Sequence, residues 1–436
     1  MQKVRFTPRF DNGNGWYNIL PPPPPAHELL CDVTADWLVI GAGYAGLSAA
    51  RTLAGHFPDQ RIALVEADRV GRGTAGRNAG FAIDVPFLSE SHGDPARARR
   101  IYALHSAGQA ELDRLVHEHG IDCQWSRRGK YMVAVGERAQ GVLRKTQELL
   151  EAINIDSRPM YTEALKERLG FSFYRMGLYS PGTYLMNPAA LTRGLGRSLP
   201  ENVTLYENSP ITKVQFEPTV RAQTAKGSIN AKGVILATDG FTEAFGIARH
   251  RLFTIMTFAS LTSPFAGPEG DAKLGGTPDW GVHPVGPAGP TIRRTQDNRI
   301  WHRIGFAYSG TVSASAATME KHRKRHIADF QKRYPHLGVP KFEHSYAGGM
   351  CMTLNTEPVF QRLSEKVFVV GGQNGIGVSK GTIHGKLIAD WAAGKTSELL
   401  DYARAYGTPS KIPREPFLGW GVAARLRLEA WKGRME

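Results

Sequence analysis

The chain has 436 residues, of which 42% are hydrophobic and 22% charged, with 48 glycines, 27 prolines and a formal net charge of +14. This length predicts two domains, or one domain with a large insertion, and the apolar fraction excludes a disordered or low-complexity chain. Cys31, Cys123 and Cys351 lie far apart with no C-x-x-C pair, so neither a disulfide framework nor a metal site is expected and a reducing, cytoplasmic setting is favoured.

Residues 1–34 form a leader with Trp16-Tyr17 and five consecutive prolines at 21–25, read as an extended surface segment rather than a cleaved peptide. Asp36-Trp37-Leu38-Val39-Ile40 is then a short apolar strand running into Gly41-Ala42-Gly43-Tyr44-Ala45-Gly46, a G-x-G-x-x-G turn that opens a helix over 45–54. Glycines, Ser48 and Arg51 interrupt the window 37–54, which excludes a membrane span there. Residues 61–65 alternate as a second parallel strand that ends at Glu66 and Ala67, roughly twenty residues after the turn. In this pattern Gly41 permits the tight turn, Gly43 lets the backbone approach a pyrophosphate, and Gly46 lets the helix pack closely on its strand. The helix N-terminus then faces the phosphates with unpaired N–H groups. The Glu66 carboxylate accepts from ribose hydroxyls and repels a 2′-phosphate. These residues predict dinucleotide binding.

A second glycine-rich stretch follows, Gly71-Arg72-Gly73-Thr74-Ala75-Gly76-Arg77-Asn78-Ala79-Gly80. It brings further N–H groups and two arginines toward the phosphates, and taken alone it also reads as a flexible surface loop. Residues 94–118, 139–153 and 186–197 are helical in pattern, 130–135 is a strand, and 203–206 and 211–216 alternate. Val234-Ile235-Leu236 leads into Ala237-Thr238-Asp239-Gly240, a buried strand ending in a polar turn. In the β-rich block 252–310, residues 291–295 and 299–305 flank Gln296-Asp297-Asn298 as a hairpin. The basic run 321–326 is read as the solvated face of an amphipathic helix.

Near the end, Val367-Phe368-Val369-Val370 runs into Gly371-Gly372-Gln373-Asn374-Gly375-Ile376-Gly377 and a helix over 378–393. This is a second strand, glycine turn and helix, so the nucleotide domain is discontinuous and the remote helix can face the far end of the same cofactor. The run 419–432 alternates basic and apolar residues, which predicts a capping helix, with a membrane-surface helix as the alternative.

Together these segments resemble the D-amino-acid oxidase superfamily of FAD enzymes, most closely the branch containing gamma-glutamylputrescine oxidase. The resemblance rests on Trp16-Tyr17 and the prolines, Val39 to Gly46, Gly71 to Phe81, Ala237 to Gly240, Ala347-Gly348-Gly349 and Gly372 to Gly385. It implies an α/β fold with a discontinuous FAD-binding Rossmann-like domain of the glutathione-reductase type at 35–93, 186–250 and 346–400. An α+β substrate domain with a mixed or antiparallel sheet would occupy 94–185 and 251–345, with a C-terminal extension at 401–436 and the flavin at the junction.

The implied chemistry is hydride removal from a carbon bearing an amine, with O2 as acceptor and hydrogen peroxide as product. Carried over residue by residue, Gly41, Gly43, Gly46 and Glu66, with the adjoining Tyr44, Ala45 and Ala67, take the ADP half. Gly73, Thr74, Arg77, Asn78, Ala79 and Gly80 follow the pyrophosphate. Ala237 and Thr238 adjoin, Val214 contacts the adenine side, and Gly375, Ile376, Gly377 and Val378 turn at the flavin O2.

Related sarcosine oxidases place a lysine where this chain has Ser379, and Lys380 comes one residue later. Cys351-Met352 occupies a place comparable to their covalent flavin cysteine; it is read as a buried inert thiol, with covalent flavin attachment as the alternative. No catalytic acid or base is evident, because the flavin takes the hydride while the protein orients and desolvates. Arg294 and His302 on the hairpin strands, with Lys380, are candidates for the substrate pocket, an arginine being a good bidentate clamp for a carboxylate, and two-residue alternation puts only half of Arg293, Arg294, His302 and Arg303 on the inner face. Three other readings stand beside the oxidase. One is a dehydrogenase passing electrons to a quinone or carrier, another a membrane-associated deaminase, and the third a basic RNA-binding flavoprotein, which only the net charge supports.

Overall fold

The structure, a computed structural model, describes residues 1–433 other than 9, 11, 12, 266, 287, 288, 311 and 312. The first of its two large sheets has a parallel centre ordered Val203–Tyr206, Ile62–Val65, Val33–Ile40, Ser228–Leu236, Val367–Gly371. Leu38, Val39, Leu64, Val234, Ile235, Leu236, Val369 and Val370 are all completely or almost completely buried, which is why these strands read as continuous apolar runs: a parallel sheet is covered on both faces. The helices Tyr44–His56 and Ser379–Ala392 lie side by side against this sheet. Gly385 sets their spacing, since a Cβ there would fall 2.0 Å from the Ala45 carbonyl oxygen. The two glycine turns, remote in sequence, are thus neighbours in space.

The second sheet runs Phe342–Met352, Phe253–Thr262, Ile300–Tyr308, Thr291–Arg294, Trp280–Pro284, Lys130–Ala134, Met176–Ser180, Arg158–Tyr161. Its pairs are antiparallel except Trp280–Pro284 with Lys130–Ala134, so the sheet is mixed and the fold is of the expected α/β class. The strand Phe342–Met352 pairs with Phe253–Thr262 along its whole length, from Phe342 opposite Thr262 to Met352 opposite Phe253. The boundary drawn from the sequence between 345 and 346 therefore cuts a continuous strand.

Two expectations need correction. The leader is more than a surface segment: Val4, Trp16 and Leu29 are buried, and Gln2–Lys3 pairs with Lys213–Gln215. Trp16 stacks on Trp301 of the second sheet with centroids 6.2 Å apart, and its indole N–H donates to the Asn78 carbonyl at 2.9 Å. The basic run on the helix Ala316–Arg333 is not wholly solvated either. His322 and His326 turn inward, where His322 stacks on Phe258 at 3.6 Å and His326 Nδ1 lies 2.7 Å from Ser260 Oγ.

Candidate active site

One cavity of about 850 Å³ lies between the two sheets, and both glycine turns line it, Gly41 and Gly43 from one side and Gly375 and Gly377 from the other. Such a volume is at the upper end for a small-molecule or cofactor site. At the first turn Gly41 has φ +100°, and a Cβ would meet the Ala237 carbonyl oxygen at 2.6 Å. Gly46 lies just behind the lining, where a Cβ would fall 1.7 Å from the Gly41 oxygen, so only glycine lets the helix start this close to its strand. The helix begins at Gly43 with no side-chain cap, which leaves its N–H groups and positive dipole end for an anion.

Glu66 stands beside this turn and is oriented by backbone donors. Its Oε2 accepts the Ala42 N–H at 2.8 Å and its Oε1 the Asp68 N–H at 3.2 Å. Burial raises its pKa, against the pull of those two N–H groups. The carboxylate is thus held in place at the cavity edge as a hydroxyl acceptor.

The second glycine-rich loop is an ordered arch. Asn14 from the leader donates to the carbonyls of Gly71 at 3.1 Å and Gly76 at 3.0 Å, and Asn78 Nδ2 donates to Ala75 at 2.6 Å. Gly73, Thr74, Arg77, Asn78 and Ala79 line the cavity; Gly80, at φ +72°, is pressed against the Met186 carbonyl and does not. Arg77 ties the arch to the second sheet, donating to Arg72 O and Ala347 O, each at 2.7 Å. Burial lowers its pKa to about 10.

At the far end Gly375 has φ +82°, and residues 375–378 all line the cavity ahead of the helix Ser379–Ala392, which also starts without a side-chain cap. Asn374 braces the turn, its Oδ1 accepting the Thr353 N–H at 2.8 Å and its Nδ2 donating to Thr356 O at 2.9 Å. The side-chain amide of Gln373, which lines the cavity, has no hydrogen-bond partner among the described residues.

The opposite wall comes from the second sheet: Met132, His283, Thr291, Trp301, Arg303 and Phe306. Arg303 Nη2 donates to Thr291 Oγ1 at 2.5 Å, and its guanidinium carbon lies 4.9 Å from the Phe306 ring centroid. Burial lowers its pKa to about 10, so it remains a cation. The His283 ring packs against Phe87 at 5.1 Å, and burial together with nearby Lys130 takes its pKa down to about 3, which leaves it neutral. At the mouth the helix Phe417–Gly433 contributes Arg425, Leu426 and Glu429.

Of the other cofactor candidates, Tyr44, Ala45, Ala67, Ala237 and Thr238 line the cavity. Val214 does not: it is packed in the core beneath the first sheet, and Ile211 takes the place by the cavity. Arg294 faces away, bonded to Asp271, to Asn298 Oδ1 at 2.8 Å and to the Gly275 carbonyl at 2.6 Å. His302 also faces away, with its Nε2 2.8 Å from Asp329 Oδ2. Lys380 is buried behind the far turn, 2.9 Å from Glu90 Oε1. Cys351 does line the cavity, with a buried thiol whose pKa is pushed well up by burial and by Asp239 and Glu243. Sequence reasoning missed His283 and put Arg294 and His302 ahead of Arg303, which sits on the predicted hairpin at the opposite phase of the two-residue period.

The glycine cradle, the two uncapped helix starts, the oriented Glu66 carboxylate and the unpartnered Gln373 side-chain amide fit an extended dinucleotide spanning the cavity. The family model for FAD dependent oxidoreductases, DAO, matches residues 36–391. The chain is 25% identical over 403 residues to gamma-glutamylputrescine oxidoreductase of Escherichia coli, covering 90% of this chain and 92% of that protein. It is likewise 25% identical over 379 residues to the probable oxidoreductase OrdL of Haemophilus influenzae, covering 84% of each. Among solved structures, glycine oxidase from Geobacillus kaustophilus superposes with a TM-score of 0.70 at 17% identity, over 84% of this chain and 96% of that one, a likeness of fold. The chain belongs to the DAO family of FAD dependent oxidoreductases, and FAD is its cofactor.

Proposed function

We propose that the chain oxidises the C–N bond of a small amine or amino acid that carries a carboxylate, and that O2 is the acceptor. The chemistry that bound FAD would supply is acceptance of a hydride from the carbon that bears the amine. The first turn, Glu66 and the arch would hold its nucleotide half, and residues 375–378 would present the second uncapped helix to its redox-active end.

The observation that carries the substrate reading is Arg303, a cation in a wall otherwise built largely of Met132, Trp301, Phe306 and neutral His283. A guanidinium recognises a carboxylate by paired N–H donors. The apolar surroundings favour the uncharged form of the amine, the form that can release a hydride. The imine leaves as product and is hydrolysed by water. The likeness to gamma-glutamylputrescine oxidoreductase and to glycine oxidase supports a substrate of this class.

The test is anaerobic mixing of the FAD-loaded protein with a panel of amines and amino acids while the visible flavin band is followed. Bleaching by carboxylate-bearing amines is expected, and air should restore the colour with one peroxide per substrate. Arg303→Ala should raise KM for those substrates by roughly thirtyfold, the loss of about 2 kcal/mol for a hydrogen bond to a charged group, and spare amines without a carboxylate. Bleaching by no member of the panel removes the reading. Flavin that stays reduced in air replaces O2 with a quinone or carrier.

A further inference from the structure

The helix Phe417–Gly433 turns one edge to the cavity mouth and leaves another side uncovered. Phe417, Trp420, Leu428 and Trp431 are 65, 66, 43 and 57% exposed. With Ala424 they form one stripe at helical spacing. Among the described residues eleven large hydrophobics are this exposed, and four of them sit on this single 17-residue helix, whereas the other seven are scattered between Met1 and Leu363. Scattered exposed apolar residues are ordinary, but a contiguous aromatic stripe marks an interaction surface.

Charge identifies what covers it. Exposed Lys411, Arg414 and Arg427 lie on the same terminal segment, and residues 411–436 contain six basic and three acidic residues within a chain of net charge +14. Tryptophan and phenylalanine flanked by arginine and lysine are the side chains that settle at the headgroup level of a bilayer. A second copy of the chain would bring like charges together across a two-fold axis. Acidic headgroups neutralise them instead. No helix among the described residues is long and apolar enough to cross a membrane, and this one is suited to lying in the plane of the surface.

We propose that this face seats the protein on an anionic bilayer surface, with the aromatic side chains at headgroup depth and Lys411, Arg414 and Arg427 against the phosphates. Because Arg425, Leu426 and Glu429 on the same helix line the cavity, seating places the mouth at the lipid boundary.

The test is sedimentation of the FAD-loaded full chain with vesicles of phosphatidylcholine alone and of phosphatidylcholine mixed with phosphatidylglycerol. The protein should pellet with the mixed vesicles, less so as salt rises and screens the headgroups, and little with the neutral ones. Replacing three exposed side chains, Phe417→Ser, Trp420→Ser and Trp431→Ser, should weaken binding at least about tenfold while flavin absorbance and urea midpoint stay unchanged. Arg414→Gln with Arg427→Gln should remove the preference for phosphatidylglycerol. Failure of the full chain to pellet with the mixed vesicles overturns the proposal, as does undiminished binding of the triple variant. A dimer in solution that the triple variant splits would assign the face to a second copy and equally overturn it.

Discussion

Replacing Gly46 by alanine would set the new Cβ 1.7 Å from the Gly41 carbonyl oxygen and 2.9 Å from its carbon. Non-bonded carbon contacts settle near 3.5 Å, so the helix must withdraw by roughly 1.5–2 Å. Both obstructing atoms are main chain, and no rotamer change relieves them. Overpacking of this kind costs about 1–3 kcal/mol. The displacement also carries the uncapped N–H groups at Gly43 away from the phosphates. At about 1.4 kcal/mol for each factor of ten, FAD affinity should fall roughly ten- to a hundredfold.

Gly55, in the same Tyr44–His56 helix, meets nothing within 4 Å, so Gly55→Ala should instead gain about 0.5–1 kcal/mol by removing backbone freedom from the unfolded chain. The assays are urea unfolding followed by circular dichroism and FAD titration of the apoprotein followed by flavin fluorescence. If Gly46→Ala binds FAD as tightly as the parent and unfolds no earlier than Gly55→Ala, close helix–strand packing is not what places the cofactor.

Lys130 is fully buried, and its Nζ, 4.6 Å from the Phe87 ring centroid, has no hydrogen-bond partner among the described residues. Burial lowers its pKa from 10.5 to about 8, against the pull of Asp84 and Glu90. Above about pH 8 the folded chain gives up a proton that the unfolded chain keeps, so urea midpoints should climb between about pH 8 and 10; Lys130→Met should remove that part of the climb and be the more stable protein at neutral pH by about 1–3 kcal/mol. Lys380 and Glu90 form a buried pair in which burial pushes the carboxyl up, yet Lys380 and His105 hold it below its ordinary pKa. Lys380→Met should therefore cost about 3–5 kcal/mol in chemical unfolding, and adding Glu90→Gln should restore most of it. The Cys351 thiol, kept protonated by burial, Asp239 and Glu243, is a poor nucleophile, so acid precipitation should leave the yellow colour in the supernatant and Cys351→Ser should keep FAD.

The glycine turns can be read from sequence because their geometry is decided locally: an apolar strand fixes the approach, and positive φ at Gly41 and Gly375 admits little but glycine. The substrate wall cannot be read that way. In the hairpin Thr291 pairs with Arg303 and Ile292 with His302, and either phase satisfies the alternating pattern. What chooses the phase is an acid elsewhere in the chain. Asp329, on the helix outside the sheet, takes His302 and Arg333, while Asp271 takes Arg294. Cationic side chains desolvated in a sheet need such partners; Arg294, held by Asp271, turns away from the cavity, while Arg303, bonded to Thr291 Oγ1, lies in its wall. Trp16 was illegible for the same reason, since its partner Trp301 lies in the other sheet.

The C-terminal helix is the instructive ambiguity. Its sequence supports a cap on the globule and a helix on a membrane surface because it is apolar on more than one side, and such a helix needs more than one partner. The fold supplies one of them through Leu426 and its neighbours at the cavity mouth. Phe417, Trp420 and Trp431 still face outward among the described residues, and the proposed bilayer surface is the second partner.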